Sequence, residues 1–271
     1  MKIQNLEDLA NEIRTDLVRL HNRTRTSHIG SEFSSVDILV ELYYEIMNIN
    51  PHNYLMKNRD YFILSKGHAA PALYDILYRR GFITKEDFES YGKEGSIFAE
   101  HPKREVFGVD SATGSLGHGL PIAAGMAYSL KYSNVKSKVY CLLSDGECQE
   151  GSTMEAANFA GRARLDNLIA IIDNNDLQGY ERTSNIQNIE SVKEKFLASA
   201  WHVSEVNGHN FDDMRSKFLA ISTERGNPSL LIANTVKGKG VVEMEDKLEW
   251  HYKSPSDIDV EKFIKQLGEL Q

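Results

Sequence analysis

Two short apolar runs constrain what this chain can fold into. Val139-Tyr140-Cys141-Leu142-Leu143 leads into Ser144-Asp145-Gly146-Glu147, and Leu168-Ile169-Ala170-Ile171-Ile172 leads into Asp173-Asn174-Asn175. Each run has the length and composition of a buried strand. Between them, Thr153 to Leu165 carries Met154, Ala157, Ala160 and Gly161 at helical spacing. A crossover of this length joins parallel strands and is right-handed in nearly all cases. Asp145 and Asn175 then stand just past the carboxyl ends of strands in one sheet, where open α/β sheets bind ligands.

A carboxylate and a carboxamide at that place offer oxygen donors, which suit Mg²⁺ or Ca²⁺. Mg²⁺ takes one or two protein carboxylates and completes its shell with substrate phosphates and water. The backbone carbonyl of Leu177, just beyond Asn175, is the candidate third protein oxygen. Gly146 leaves room for a phosphate to approach the chain. The reading is a divalent cation holding a diphosphate. An isolated Asp-Gly is ordinarily a turn; the two strand ends and the helix between them favour the cation site.

The remaining pattern extends the same architecture. Leu6 to Thr24 places Leu9, Ile13, Leu17 and Leu20 on one helical face, and Ser35 to Met47 is a second apolar helix. Tyr61-Phe62-Ile63-Leu64 is a strand, followed by a helix from Pro71 to Arg80 that stops at Gly81. Leu120 to Leu130, rich in Ala and Gly, predicts a closely packed helix. Trp201–Val206, Phe211–Arg225 and Ser229–Thr235 predict a further strand, helix and strand. The fold class is α/β: a doubly wound, mostly parallel sheet with helices on both faces. The expectation is a single domain spanning residues 1–271, with the stretch after Pro255 a short amphipathic helix or an ordered arm.

The balance of 31 basic and 39 acidic residues, net −8, argues against nucleic acid or an anionic membrane as the main partner. No run approaches the ~20 apolar residues of a membrane span. Cys141 and Cys148 form no disulfide or zinc pattern, and the charged amino terminus has no secretory core, so a cytoplasmic location is expected.

Several motifs together carry a family resemblance. The Asp145-Gly146 to Asn174-Asn175 segment resembles the cofactor motif of thiamine diphosphate enzymes, with Ser144 replacing the first Gly of Gly-Asp-Gly. Thr24-Arg25-Thr26-Ser27-His28-Ile29-Gly30, Leu64-Ser65-Lys66-Gly67-His68-Ala69-Ala70-Pro71 and His101-Pro102 stand in the order found in the N-terminal section of transketolases. So do Gly114-Ser115-Leu116-Gly117-His118-Gly119-Leu120, Lys237-Gly238-Lys239-Gly240 and Trp250-His251. The likeness covers nearly the whole chain.

The resemblance implies a diphosphate-binding fold holding thiamine diphosphate and Mg²⁺, with Ca²⁺ or Mn²⁺ as substitutes. It implies Asp145, Asn175 and Leu177 as metal ligands. His68, Gly114, Ser115, Leu116, Gly146, Glu147, Asn175 and His251 would line the cofactor. It also implies catalytic roles for His28, His68, His101 and His251, with His28 and His101 toward sugar hydroxyls; histidine suits proton transfer near neutral pH. The other histidines, His21, His52, His118, His202 and His209, are expected to be caps or core hydrogen-bonding groups. Lys237 and Lys239 either touch phosphate or are exposed, exposure being the expectation, and Glu155 either lies at a contact between subunits or on a solvated face.

The pyrimidine-binding domain, which in this family supplies the activating glutamate and the residues gripping sugar phosphate, is expected on a separate C-terminal subunit in an α₂β₂ assembly. The activity implied is transfer of a two-carbon glycolaldehyde unit between sugar phosphates. A deoxyxylulose-phosphate synthase-like component and a non-catalytic cofactor-binding module are the other readings. Glu32, in Ser31-Glu32-Phe33-Ser34, either lines the sugar pocket or faces solvent.

Overall fold

The computed structural model describes residues 5–269. Its sheet is built from β1 (Tyr61–Leu64), β2 (Val139–Ser144), β3 (Leu168–Asn174), β4 (His202–Asn207) and β5 (Ser229–Asn234). All pairings are parallel, in the order β1-β2-β3-β5-β4. The helices are α1 (Leu6–Thr24), α2 (Ile29–Glu41), α3 (Ala70–Arg79), α4 (Lys85–Glu89) and α5 (Gly119–Tyr132). They continue with α6 (Gly151–Arg162), α7 (Thr183–Ile186), α8 (Ile189–Ala198), α9 (Phe211–Thr223) and α10 (Asp257–Glu269).

Period-two alternation along the strands divides the interior into two cores. Phe62, Leu64, Tyr140, Leu142, Ile169, Ile171, Leu231 and Ala233 pack on one side with residues of α1, α2, α3, α9 and α10. Ile63, Cys141, Leu143, Leu168, Ala170, Ile172, Leu230 and Ile232 face the other side, against α5, α6 and α8. A strand covered on both faces has no polar face to show, which is why the sequence displays unbroken apolar runs.

The second helix departs most from the sequence expectation. The second helix begins at Ile29, ahead of the predicted Ser35, and its last turn widens into a π-turn over Leu42–Ile46. Ser31, Ser34 and Ser35 obscured that start, because their hydroxyls are buried against other segments and give no apolar signal. The stretch after Pro255 is helix α10, anchored to the first core through Phe263 and Leu267. Among the described residues, no helix is long and apolar enough to cross a membrane.

Candidate active site

The carboxyl ends of β1, β2, β3 and β5 release the loops that form the site. At the end of β2, Asp145 accepts hydrogen bonds from Gly146 N at 2.7 Å and from Asp176 N at 2.8 Å, tying this loop to the one after β3. Asn175 Oδ1 accepts from Leu177 N at 3.1 Å. Asp145, Asn175 and Leu177 are therefore gathered into one buried loop pair. Burial, and next the Asp173 charge, push the Asp145 carboxyl above its usual range. A cation beside such a carboxylate restores its charged form.

Among the described residues, no three His, Cys, Asp or Glu side chains gather as a metal cage. Any cation at this place must rely on one carboxylate, a carboxamide and a carbonyl, with its other ligands brought by a phosphate or water, which suits Mg²⁺. Gln178 adds a donor: its Nε2 is buried without a partner, and its side chain lies over Gly146, where a Cβ would stand 2.9 Å away.

Lys237 departs from expectation. It is 1% exposed, and its Nζ donates to Leu177 O at 3.0 Å and meets His251 Nδ1 at 2.9 Å. Packing of Gly30 against Lys237 and Trp250 folds the side chain inward. Burial and the nearby Lys66 charge lower the Lys237 ammonium to about 8. Lys239 is part-exposed and pairs with Glu245.

The four predicted histidines lie on four loops, and three of their rings converge. His28 lies with its ring centre 4.8 Å from that of His251 and 5.2 Å from that of His68, and His68 and His251 are 5.9 Å apart. The chain at His28 is held by a backbone bond, His28 N to His251 O at 3.0 Å. His101 packs on the glycine loop: a Cβ on Gly114 would come within 2.9 Å of its ring. Burial, then Lys237 and His28, lower His251 to about 3. Burial and Lys66 hold His68 well below its usual value, and burial lowers His28 despite Glu100. These three rings are neutral at neutral pH.

Tautomers follow from the partners. An ammonium only donates, so Lys237 leaves the His251 proton on Nε2. A carboxylate only accepts, so Glu100, 3.0 Å from His28 Nδ1, places the His28 proton on Nδ1.

The glycine loop opens α5, with Ser115 exposed and Leu116 half-buried. Glu147, expected at the cofactor, is fully buried and holds three segments together. It accepts from Ser65 Oγ, from Gly117 N at 2.8 Å and from Ser144 N at 3.4 Å. Gly119 is needed beside it, since a Cβ there would sit 2.1 Å from Ser65 Oγ.

Sequence reasoning missed a buried pair below the site. Lys66 Nζ donates to Asp173, to Ser31 O at 2.9 Å and to Ser35 Oγ at 2.8 Å. Asp173 also accepts from Ser34 and Thr235. A lysine inside an otherwise small-residue loop was the available signal. Glu32 takes neither of its two expected places: it is fully buried and bonded to His21 Nε2 at 2.9 Å. His21 and His209 are core hydrogen-bonding groups as expected, His209 linking Asp37 to Val236 N. His118 is exposed, with Nδ1 3.1 Å from Leu116 O.

Comparison with known proteins agrees with this arrangement. Residues 6–269 match the family described as "Transketolase, thiamine diphosphate binding domain". A Phocaeicola vulgatus protein named as one of the subunits of an apulose-4-phosphate transketolase is 38% identical over 269 residues, covering 99% of this chain and 96% of its own length. A Clostridium protein named for a 6-deoxy-6-sulfo-D-fructose transketolase, likewise as one of its subunits, is 37% identical over 247 residues, covering 91% and 90%. The crystal structure of transketolase from Campylobacter jejuni superposes with a TM-score of 0.90 at 33% identity, covering 99% of this chain and 43% of that one. The chain thus spans nearly the full length of these two relatives and less than half of the Campylobacter enzyme. It belongs to the transketolase family, as a member of its thiamine diphosphate-binding domain.

Proposed function

We propose that this chain is the diphosphate-binding subunit of a two-chain transketolase, a transferase that moves a two-carbon ketol unit between sugar phosphates. The observation that carries the reading is the charge balance where the loops after β1, β2, β3 and β5 meet. Asp145 and Lys237 offset each other, as do Lys66 and Asp173, so a divalent cation on Asp145, Asn175 and Leu177 O leaves an excess positive charge. A diphosphate answers that excess, as buried charge must be paired.

In this reading Asp145, Asn175 and the Leu177 carbonyl hold Mg²⁺, and the Lys237 ammonium and Gln178 amide donate to the diphosphate. Leu177 O has a second lone pair beyond the one Lys237 uses. Ser115 and Leu116 lie along the cofactor's middle. When bound, thiamine diphosphate supplies the electron sink for cleaving the bond beside a ketose carbonyl. His251 presents an Nε2–H donor and His28 an Nε2 acceptor, so a sugar hydroxyl between them is both held and oriented. His68 and His101 complete the wall, where imidazole nitrogens serve proton transfers at sugar oxygens.

The partner carries the pyrimidine-binding domain. Its docking face on this chain is the exposed aromatic cluster of Tyr128, Tyr132 and Phe159 on α5 and α6, with Glu155 exposed alongside. Contiguous exposed apolar groups of this kind mark interaction surfaces. Relatives named for apulose 4-phosphate and for a sulfo-sugar support a substrate drawn from ketoses with an anionic tail, read by the other subunit.

The test combines calorimetry and reconstitution. The chain should bind thiamine diphosphate only with Mg²⁺ present, and mixing with the C-terminal subunit should give ketol transfer from xylulose 5-phosphate to an aldose phosphate. Transfer by this chain alone at a comparable rate, or Mg²⁺-independent coenzyme binding, refutes the reading.

A further inference from the structure

Glu100, directly before His101, belongs to none of the sequence motifs, yet it reaches into the histidine cluster. Its Oε1 accepts from Ser27 Oγ at 2.8 Å and lies 3.0 Å from His28 Nδ1. Oε2 takes no hydrogen bond from the described residues, and the side chain stays 38% exposed while His28 is 19% exposed. Partial burial raises the carboxyl, but the Ser27 hydroxyl and the His28 ring outweigh it and hold the group below its usual range. Glu100 is therefore a carboxylate at neutral pH. The buried acid nearby, Glu32, is fully enclosed with His21 and cannot reach a ligand.

Two consequences follow from an acceptor-only group in this place. Neutral imidazole carries one proton, and Glu100 claims it for Nδ1, leaving His28 Nε2 as an acceptor. Without Glu100, the proton is free to move to Nε2, and the face toward His251 would then hold two donors. The free Oε2 keeps Glu100 an acceptor in its own right beside His28. A ring nitrogen held as an acceptor, with a carboxylate behind it, recognises a hydroxyl donor and disfavours an anion.

We propose that Glu100 is a positioning and specificity residue, which fixes His28 as a hydrogen-bond acceptor and with it selects a donor ketose bearing a hydroxyl at this point of the site. The inference rests on the ketol-transfer reading above for the nature of the substrate, but not for the state of His28. A site that pairs an acceptor with a hydroxyl discriminates against the analogue lacking it, because the acceptor is left unpaired.

The experiment has two arms on the full chain. In the first, ¹⁵N spectra of histidine-labelled protein are recorded for wild type, Glu100→Gln and Glu100→Ala, with His28 identified from its loss in His28→Gln. Wild type should carry the His28 proton on Nδ1, and Glu100→Ala should move it partly or wholly to Nε2. A wild-type proton on Nε2, or no change on substitution, overturns the proposal. In the second, the enzyme assembled with its partner is assayed with xylulose 5-phosphate and with 1-deoxyxylulose 5-phosphate. Glu100→Gln should lower kcat/KM for the hydroxylated donor by about tenfold to a hundredfold, the size of a charged hydrogen bond, with the deoxy donor changed by less than about threefold. Equal proportional losses for both donors overturn the specificity role. If the wild-type assembly shows no ketol transfer, the functional reading fails while the spectra still decide what Glu100 does to His28.

Discussion

Strand β1 is flanked by two basic residues two positions from either end, and their fates differ. Before it, Arg59 pairs with Asp110, which also accepts from Phe62 N at 2.9 Å; Arg59 further donates to Tyr54 O at 2.8 Å and stacks on Tyr54 and Tyr61. After it, Lys66 pairs with Asp173 of β3 and with α2 through Ser31 and Ser35. Arginine's planar fork locks its own segment and one neighbouring loop at the amino end of the sheet. Lysine's point charge gathers several segments converging on the carboxyl end. One end of the sheet is closed for stability alone. At the other, the same kind of buried charge also sets the loop that presents Asn175, whose Nδ2 lies 3.4 Å from Asp173.

The largest effects should come from cutting these pairs. Removing one partner of a fully buried pair costs about 3–5 kcal/mol, so Lys66→Met should lose stability on that scale by urea unfolding. Coenzyme binding by calorimetry should vanish with it. Arg59→Met should lose a similar amount of stability, yet its folded fraction should keep its affinity for thiamine diphosphate and Mg²⁺ within about twofold, as remote sites act independently. Equal damage to the coenzyme from both would erase the distinction between the two ends.

Asp145→Asn sharpens it from the other side. Affinity for the coenzyme with Mg²⁺ should fall by at least about a hundredfold, above the range for loss of a supporting group. Unfolding free energy should shift by less than about 1 kcal/mol, since one backbone N–H loses its acceptor while repulsion from Asp173 is relieved.

Helix α5 contains the contrast within a single element. Gly119→Ala should destabilise by about 1–3 kcal/mol, because its Cβ would overlap Ser65 at the carboxyl end. Gly125→Ala has nothing within 4 Å and should stabilise the isolated chain by about 0.5–1 kcal/mol.

The last contrast is electrostatic. His251 is held at about 3, whereas in the unfolded chain it titrates near the ordinary histidine value of about 6.5. Between those values the unfolded state binds the extra proton, so stability contributed by the neutral folded ring is lost as pH falls from 7 to 5. At pH 5 the unfolded ring is about 1.5 pH units below its own value, worth about 2 kcal/mol, so the melting temperature of the wild type should drop by about 4–8 °C more over that range than that of His251→Gln. An equal drop would mean that the ring is not held neutral by its surroundings.

Much of the candidate site's placement was legible in the sequence because its parts sit at strand ends. Asp145, Asn175 and Leu177 follow apolar runs whose burial fixes where each loop begins, and three of the four histidine rings do converge. Lys237, Glu100 and the Lys66–Asp173 pair were not legible in the same way. Nothing local tells a lysine in a glycine-rich loop whether it faces water or a carbonyl from sixty residues away. Glu147 was legible as a member of the loop but not as the internal strut that joins it to Ser65 and Gly117.

What the amino-acid order determined by itself is periodic: which stretches are strands or helices, that the sheet is parallel, and which polar residues emerge at its binding edge. Those follow from burial of side chains a fixed number of positions apart. The tertiary structure alone decided which charges meet, which ring nitrogen keeps its proton and which acid faces the site. These depend on distances of about 3 Å between segments far apart in the chain, and an electrostatic contact has no sequence period to reveal it.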